Sequence, residues 1–92
     1  MPRWEERLEA VRLDIDMIDR EILALFARRM ELCGHVADIK KAGKLQVLDT
    51  NREKAVLENA RGRVGADLRE EAAALMACLM ELSKKRQEKI LK

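Results

Sequence analysis

The chain has 92 residues, of which 48% are hydrophobic, 39% charged and only 2% aromatic. That length makes a single domain, residues 1–92, and the abundance of Ala, Leu, Glu, Lys and Arg predicts an all-α fold and excludes a β-sandwich or barrel. The net charge of +2 is too balanced to indicate nucleic-acid binding, and one His with two Cys cannot form a Cys/His zinc site, so we expect no metal and no cofactor.

The sequence also indicates the cellular compartment of the protein. No apolar run is long enough to span a membrane, and the first residues lack the apolar core of a signal peptide. Two Cys residues cannot build a disulfide framework of the kind that secreted domains use. We therefore expect a cytoplasmic protein with no membrane partner.

An apolar seam marks the first predicted helix. Its members follow one another in steps of three and four residues, apart from one gap: Leu8, Val11, Ile15, Ile18, Ile22, Leu25, Leu32, Val36 and Ile39. This period predicts an α-helix from about Trp4 to Ala42 that Gly43 ends. Such a helix is roughly 57 Å long, whereas a compact chain of this size is only about 32 Å across. Because the overhanging seam needs a partner, we expect a two-fold homodimer.

Two shorter helices are predicted to follow. Asp49 and Thr50 are both candidates for the N-cap of the second helix, which extends to about Arg61. Asp67 begins the third helix in the same capping manner, and this helix reaches about Ile90. The chain is thus expected to hold three helices, the first of them very long.

Polar side chains interrupt the predicted interior. Arg29 occupies an apolar position of the seam, and Lys40 lies about 16 Å further along the same stripe. On the third helix, Ser83 and Gln87 share one stripe. Each residue also has an ordinary explanation when taken alone. Arg29 could fix the register of helix pairing, and Lys40 could be a solvated cation at the helix C-terminus. Ser83 and Gln87 could be polar residues on the flank of their helix. Two interior cations without facing carboxylates are costly unless paired, so together they predict an anionic ligand between helices.

Other charged residues extend this hypothesis. Arg12 lies about 25 Å along the helix axis from Arg29, so it could reach the same ligand only from the second chain of an antiparallel dimer. Taken alone, Arg12 is an ordinary surface residue. Capping explains Asp49 and Glu53, but it does not explain Arg52, a cation near the positive end of a helix, where a neighbouring anion would be favourable.

An ordered set of short motifs runs through the chain: Leu8-x-x-Val11-Arg12-x-x-Ile15-Asp16-x-Ile18-Asp19, Leu23-x-Leu25-x-x-Arg28-Arg29, Val36-x-x-x-Lys40, Val47-x-Asp49-x-x-Arg52-Glu53 and Ser83-x-x-x-Gln87. The set resembles the all-helical chorismate mutases of the bacterial AroQ class. The resemblance implies an intertwined homodimer with two composite sites. It also implies a stand-alone domain that rearranges chorismate to prephenate in the biosynthesis of phenylalanine and tyrosine.

The same resemblance implies roles for the cations and the amide. Arg29 and the partner subunit's Arg12 would bind the two carboxylates of chorismate. Lys40 would contact a carboxylate and the ether oxygen, and Gln87 would donate a hydrogen bond to that ether oxygen. The reaction is a pericyclic rearrangement within one dianion, so it needs a fixed conformer and positive charge at the ether oxygen rather than a nucleophile, metal or cofactor.

The resemblance further implies that Glu53 would bind the substrate hydroxyl, with Asp49 nearby. Arg52 would help to hold the site, and Ser83 would line it. One departure from the family pattern precedes these residues, since Gln46 stands where the family often has Pro. This substitution is expected to loosen the entry to the second helix without touching a proposed ligand contact.

Two other functions stay open. An isochorismate pyruvate-lyase on the same fold would also take a dianion with an enolpyruvyl ether, although Asp49 and Glu53 together favour the mutase. A non-catalytic helical dimerisation or nucleic-acid module would suit the basic segment 83–89 and the coiled-coil-like first helix. That module would leave Arg29 and Lys40 unexplained and would lack aromatic residues for base stacking, so we expect no nucleic-acid partner.

Overall fold

The computed structural model describes residues 3–91, and these residues form three α-helices. α1 spans Trp4–Gly43, α2 spans Thr50–Gly62 and α3 spans Arg69–Leu91, with a short 3-10 turn at Ala66–Leu68 before α3. No strand occurs within residues 3–91. The predictions of an all-α fold and of a very long first helix are confirmed. None of the helices described is long and apolar enough to cross a membrane.

The end of α1 turns the chain back toward Lys40. Gly43 is the last residue of the helix, and the left-handed residue after it is Lys44, with φ of 57°. The Leu45 amide donates to the Lys40 carbonyl at 2.8 Å, and the Lys44 amide donates to the Lys41 carbonyl at 3.3 Å. These two bonds are those of a Schellman motif, which ends a helix sharply. The left-handed position favours glycine, and a lysine there costs roughly 1 kcal/mol.

Asp49 is the residue that begins α2. Its backbone is extended, with φ of −134° and ψ of 92°, and its Oδ1 accepts a hydrogen bond from the Arg52 amide at 3.0 Å. Thr50, the other candidate, is the first residue of the helix itself. A carboxylate is a strong acceptor and also complements the positive end of the helix, which accounts for the choice of Asp49 over its neighbour.

The start of α3 differs from the prediction. Gly65 occupies the N-cap position before the 3-10 turn and has no side chain with which to cap, while Asp67 lies inside the turn. The Leu68 amide donates to the Gly65 carbonyl at 3.0 Å. Because this backbone hydrogen bond opens the helical segment before Asp67, the prediction that Asp67 caps the third helix is wrong.

The chain divides between Glu31 and Leu32 into two units. The first unit is the leading part of α1, and none of its residues from 3 to 31 is buried. The side chains of the predicted apolar seam are exposed to solvent along this unit: Ile15 is 48% exposed and Leu25 is 63% exposed. This part of the helix therefore has an apolar surface but no core of its own.

The second unit contains the end of α1 together with α2 and α3. α2 packs against α3, and the buried residues of the unit are all small or polar: Gly34, Ala37, Ala60, Ala73, Ser83 and Gln87. A Cβ atom on Gly34 would lie 3.5 Å from Cδ1 of Ile90. The end of α1 thus runs close to the end of α3, and this approach brings Lys40 to Gln87.

Candidate functional site

Lys40 and Gln87 meet inside the second unit. The Nζ atom of Lys40 donates a hydrogen bond to Oε1 of Gln87 at 3.2 Å. Lys40 is half-buried, and Gln87 is only 7% exposed. Since Oε1 accepts from the ammonium group, the Nε2 atom of the amide is the one left to donate. The two residues form a pair of donors, one charged and one neutral, carried by different helices.

The loop between α1 and α2 fixes the other side of Lys40. Its Nζ also donates to the carbonyl of Val47 at 2.7 Å, while its own carbonyl accepts from the Leu45 amide. Both ends of this residue are therefore tied to the loop. Beside them lies an open cavity of about 320 Å³, a volume within the range of small-molecule sites. Its lining residues are Lys40, Leu45, Gln46, Leu48, Asp49 and Thr50.

Ser83 lies one helical turn before Gln87 and is only 5% exposed. Its Oγ donates to the Leu79 carbonyl of the same helix at 2.8 Å. The hydroxyl proton is thus directed along α3. Ser83 and Gln87 are the buried polar residues of α3, which agrees with the stripe that the sequence predicts.

Glu53 forms an ion pair that links α2 to α3. Its Oε2 lies 3.0 Å from Nζ of Lys84, and the same Nζ lies 2.7 Å from Oε1 of Glu81. Lys84 was not among the predicted site residues, because its sequence context is a run of basic residues. Glu81, three residues earlier, marks a helical ion pair, but no local signal joins Lys84 to the distant Glu53.

The charges of this cluster reinforce one another. Hydrogen bonding to Glu81 and then to Glu53 raises the pKa of Lys84 above its ordinary value. In turn, the hydrogen bond from the Lys84 ammonium and its charge lower the pKa of Glu81. Each shift favours the charged form, so the lysine remains a cation and Glu81 a carboxylate around neutral pH.

The remaining predicted residues fall into two groups. Asp49 uses one oxygen to cap α2, and the side chain of Arg52 is exposed. Arg12 and Arg29 belong to the first unit, where Arg12 is exposed and Arg29 is half-buried. Within the second unit the fold thus brings Lys40 together with Gln87, and it engages Glu53 from α3.

Within residues 3–91 no three His, Cys, Asp or Glu side chains cluster closely enough to hold a metal ion. Cys33 is half-buried and Cys78 is exposed, and neither forms a disulfide. The groups that the second unit offers to a ligand are therefore hydrogen-bond donors, ammonium groups and carboxylates.

Comparison with known proteins identifies one family and two related proteins. Residues 11–88 match the family described as chorismate mutase type II. The chain is 37% identical over 76 residues to the T-protein of Haemophilus influenzae, which aligns 83% of this chain with 19% of that protein. It is 39% identical over 56 residues to the chorismate mutase of Methanocaldococcus jannaschii, aligning 61% of this chain with 57% of that one.

Each alignment thus covers less than two thirds of the relative's own length. No solved structure matches the chain. The family match covers most of the sequence and includes every predicted site residue, from Arg12 on α1 to Gln87 on α3. The predicted resemblance is confirmed, and the chain belongs to the chorismate mutase type II family.

Proposed function

We propose that this protein is a chorismate mutase, an isomerase that rearranges chorismate to prephenate for the biosynthesis of aromatic amino acids. The observation that carries the proposal is the hydrogen bond between Lys40 and Gln87. As the rearrangement breaks the C–O bond of the ether, negative charge develops on the oxygen. An ammonium group and an amide donor held side by side are suited to stabilise that charge.

The contact between the two residues also orders the donors in advance. Lys40 donates to the amide oxygen, so the Nε2 hydrogens of Gln87 are the ones that can donate to a ligand. The Val47 carbonyl restrains the ammonium group before any substrate arrives. Groups that are already in place need little rearrangement when charge develops, and this preorganisation makes them effective in the transition state.

We propose that a second copy of the chain covers the exposed apolar surface of the first unit. Its seam is apolar and exposed in residues 8–25, and an isologous dimer would cover the same surface on both subunits. We propose that the two chains intertwine. Arg29 and the partner subunit's Arg12 would then bind the carboxylates of one substrate molecule. Neither Cys33 nor Cys78 forms a disulfide, which suits the reducing cytoplasm in which we place the enzyme.

The rest of the site would position the substrate ring. Glu53 would accept a hydrogen bond from the substrate hydroxyl, with Asp49 close by at the N-cap of α2. Arg52, whose exposed guanidinium lies at this same turn, would help to hold the site. Ser83 would line the wall next to Gln87 on α3, where its buried position supports such a role.

Chorismate consumption with identification of the product tests the proposed function. We expect prephenate to form, and we expect Lys40→Ala to lower kcat/KM by at least about 10²-fold, since it removes a charged donor. Lys41→Ala is the matched control, because it removes the exposed neighbouring lysine of the same helix end. Isochorismate is offered in parallel. Formation of pyruvate from isochorismate, without prephenate from chorismate, would identify a lyase instead.

Asp49 allows capping to be separated from substrate binding. Asp49→Ala removes the acceptor for the Arg52 amide, so we expect it to lower the free energy of unfolding by about 1 kcal/mol. Asp49→Asn keeps a capping oxygen but places an amide nitrogen where the second carboxylate oxygen lies. We expect this variant to retain stability while KM for chorismate rises about tenfold, as loss of one hydrogen bond predicts.

The two measurements are denaturant unfolding at fixed protein concentration and steady-state kinetics at one pH. Asp49→Ser serves as a third variant, since serine caps the helix with an uncharged hydroxyl. A normal KM in Asp49→Asn would restrict Asp49 to its role as a helix cap.

A further inference from the structure

Lys84 lies between two carboxylates, one on α2 and one on its own helix α3. Its Nζ is 3.0 Å from Oε2 of Glu53 on α2 and 2.7 Å from Oε1 of Glu81 on its own helix. The side chains of Lys84 and Glu53 are 25% and 28% exposed, whereas that of Glu81 is 64% exposed. The pair with Glu53 is therefore the enclosed one, and the pair with Glu81 lies at the surface.

A second ion pair bridges the same two helices at their other ends. Nε of Arg61, near the end of α2, lies 3.3 Å from Oε1 of Glu70, near the start of α3. This pair is more open, because the Glu70 side chain is 77% exposed. Exposed pairs of this kind contribute little to stability. The Arg61 pair is thus a natural control for effects that come merely from joining α2 to α3.

Glu53 presents an electrostatic difficulty for the proposed reaction. The substrate is a dianion, so a bare carboxylate beside it would repel it. The long side chain of Glu53 also has rotational freedom, which must be lost before the carboxylate can accept a hydrogen bond in a fixed place. Lys84 reduces both the repulsion and the rotational freedom. Its charge offsets that of Glu53, and its Nζ binds one of the two carboxylate oxygens.

We propose that Lys84 is a positioning residue: it binds Oε2 of Glu53 so that Oε1 is left to accept from the substrate hydroxyl, and it offsets the carboxylate charge toward the dianion. This inference rests on the proposed function. Lys84 acts through Glu53 and does not itself touch the substrate. The neighbouring Ser83 and Gln87 are buried, whereas the Lys84 side chain is 25% exposed and contacts Glu53 on α2.

Lys84→Met tests this role, since methionine keeps most of the side-chain length and removes the charge. We expect KM for chorismate to rise about tenfold while kcat stays within about twofold, the pattern of lost binding shared by ground state and transition state. Lys84→Arg is expected to restore KM to within about threefold of the parent. Arg61→Met, which removes the control pair, is expected to leave both constants unchanged.

A double-mutant cycle shows whether the effect passes through Glu53. If it does, Lys84→Met adds almost nothing to the rise in KM that Glu53→Gln already causes, because the two residues act as one unit. Thermal unfolding of each variant is measured at one protein concentration. Should Lys84→Met fail to fold, Lys84→Leu replaces it, since leucine also removes both the charge and the donor for Glu53.

The outcomes are distinct. A parent protein that does not convert chorismate overturns the proposed function and the role of Lys84 together. An active parent with an unchanged KM in Lys84→Met, or in its leucine substitute, overturns only the role of Lys84. Additive effects in the double-mutant cycle, or an equal rise in KM for Arg61→Met, would make Lys84 a structural clamp between helices and would also overturn the proposal.

Discussion

Gln87→Glu will fold and assemble normally but will lose about 10²–10³-fold in kcat/KM near neutral pH, the usual effect of removing one donor from a developing oxyanion. The amide of Gln87 donates whatever the pH. A carboxyl group donates only while it is protonated, and once ionised it would repel the charge that grows on the ether oxygen. The side chain is 7% exposed, so little water is available to take over the role of the missing donor.

The pH dependence of this variant has a definite sign. Its kcat/KM should rise as the pH falls through the pKa of the new carboxyl group, while the parent stays comparatively flat in that range. Burial at position 87 raises this pKa, and the Lys40 ammonium, 3.2 Å from the native amide oxygen, lowers it. Because kcat/KM reports the free enzyme, the midpoint of the rise measures the balance of these two effects.

Stability and KM must be followed over the same pH range to separate chemistry from unfolding. Glu88→Gln, an exchange between the same two residue types at the exposed next position, is the matched control and should follow the parent throughout. If Gln87→Glu keeps the parent's rate and pH profile, Gln87 is not the donor to the ether oxygen. Lys40 would then have to act there alone.

Arg12→Ala and Lys40→Ala will each be nearly inactive, yet the two variants refolded together will recover activity. Each proposed site takes Lys40 from one chain and Arg12 from the other. Mixing equal amounts of the unfolded variants makes half of the dimers hybrids. Every hybrid has one intact site and one doubly damaged site, so about a quarter of all sites should regain the parent's activity.

Native mass spectrometry provides the first control, because the parent must show twice the chain mass and the mixture must contain the hybrid. Each variant refolded alone gives the baseline. Confirmed hybrids without recovery would mean that Arg12 and Lys40 serve a site from the same chain, or that Arg12 does not contribute. A fully active monomer of the parent would remove the proposed dimer altogether.

The helices could be predicted from the sequence because their signals are local. The seam around Ile15 and Ile22 repeats with the helical period, and Asp49 caps an amide only three residues away. Asp67 shows the limit of such reasoning. Its capping pattern competes with a backbone hydrogen bond from the Leu68 amide to the Gly65 carbonyl, and a backbone bond cannot be recognised from residue types. Local patterns specify where a helix can begin, and the backbone decides between neighbouring choices.

The site was predictable only in part for a related reason. Lys40 and Gln87 are anomalous on their own helices, a cation and an amide where apolar residues would be expected, so each could be noticed separately. Their contact, and that between Glu53 and Lys84, depends on how α1 and α2 approach α3. No periodicity within one helix encodes such an approach. The sequence therefore does not distinguish Lys84 from the other basic residues near it.

The composition of the core has a consequence for how the protein comes to fold. Within residues 3–91 the buried hydrophobic residues are Ala37, Ala60 and Ala73, and no large side chain is fully enclosed. Methyl groups supply little of the hydrophobic free energy that must offset the ordering of a chain. In the proposed dimer, most of that free energy would come from the surface that two chains cover together. Folding and association would then be one event, and the apparent stability would follow mass action and rise with protein concentration.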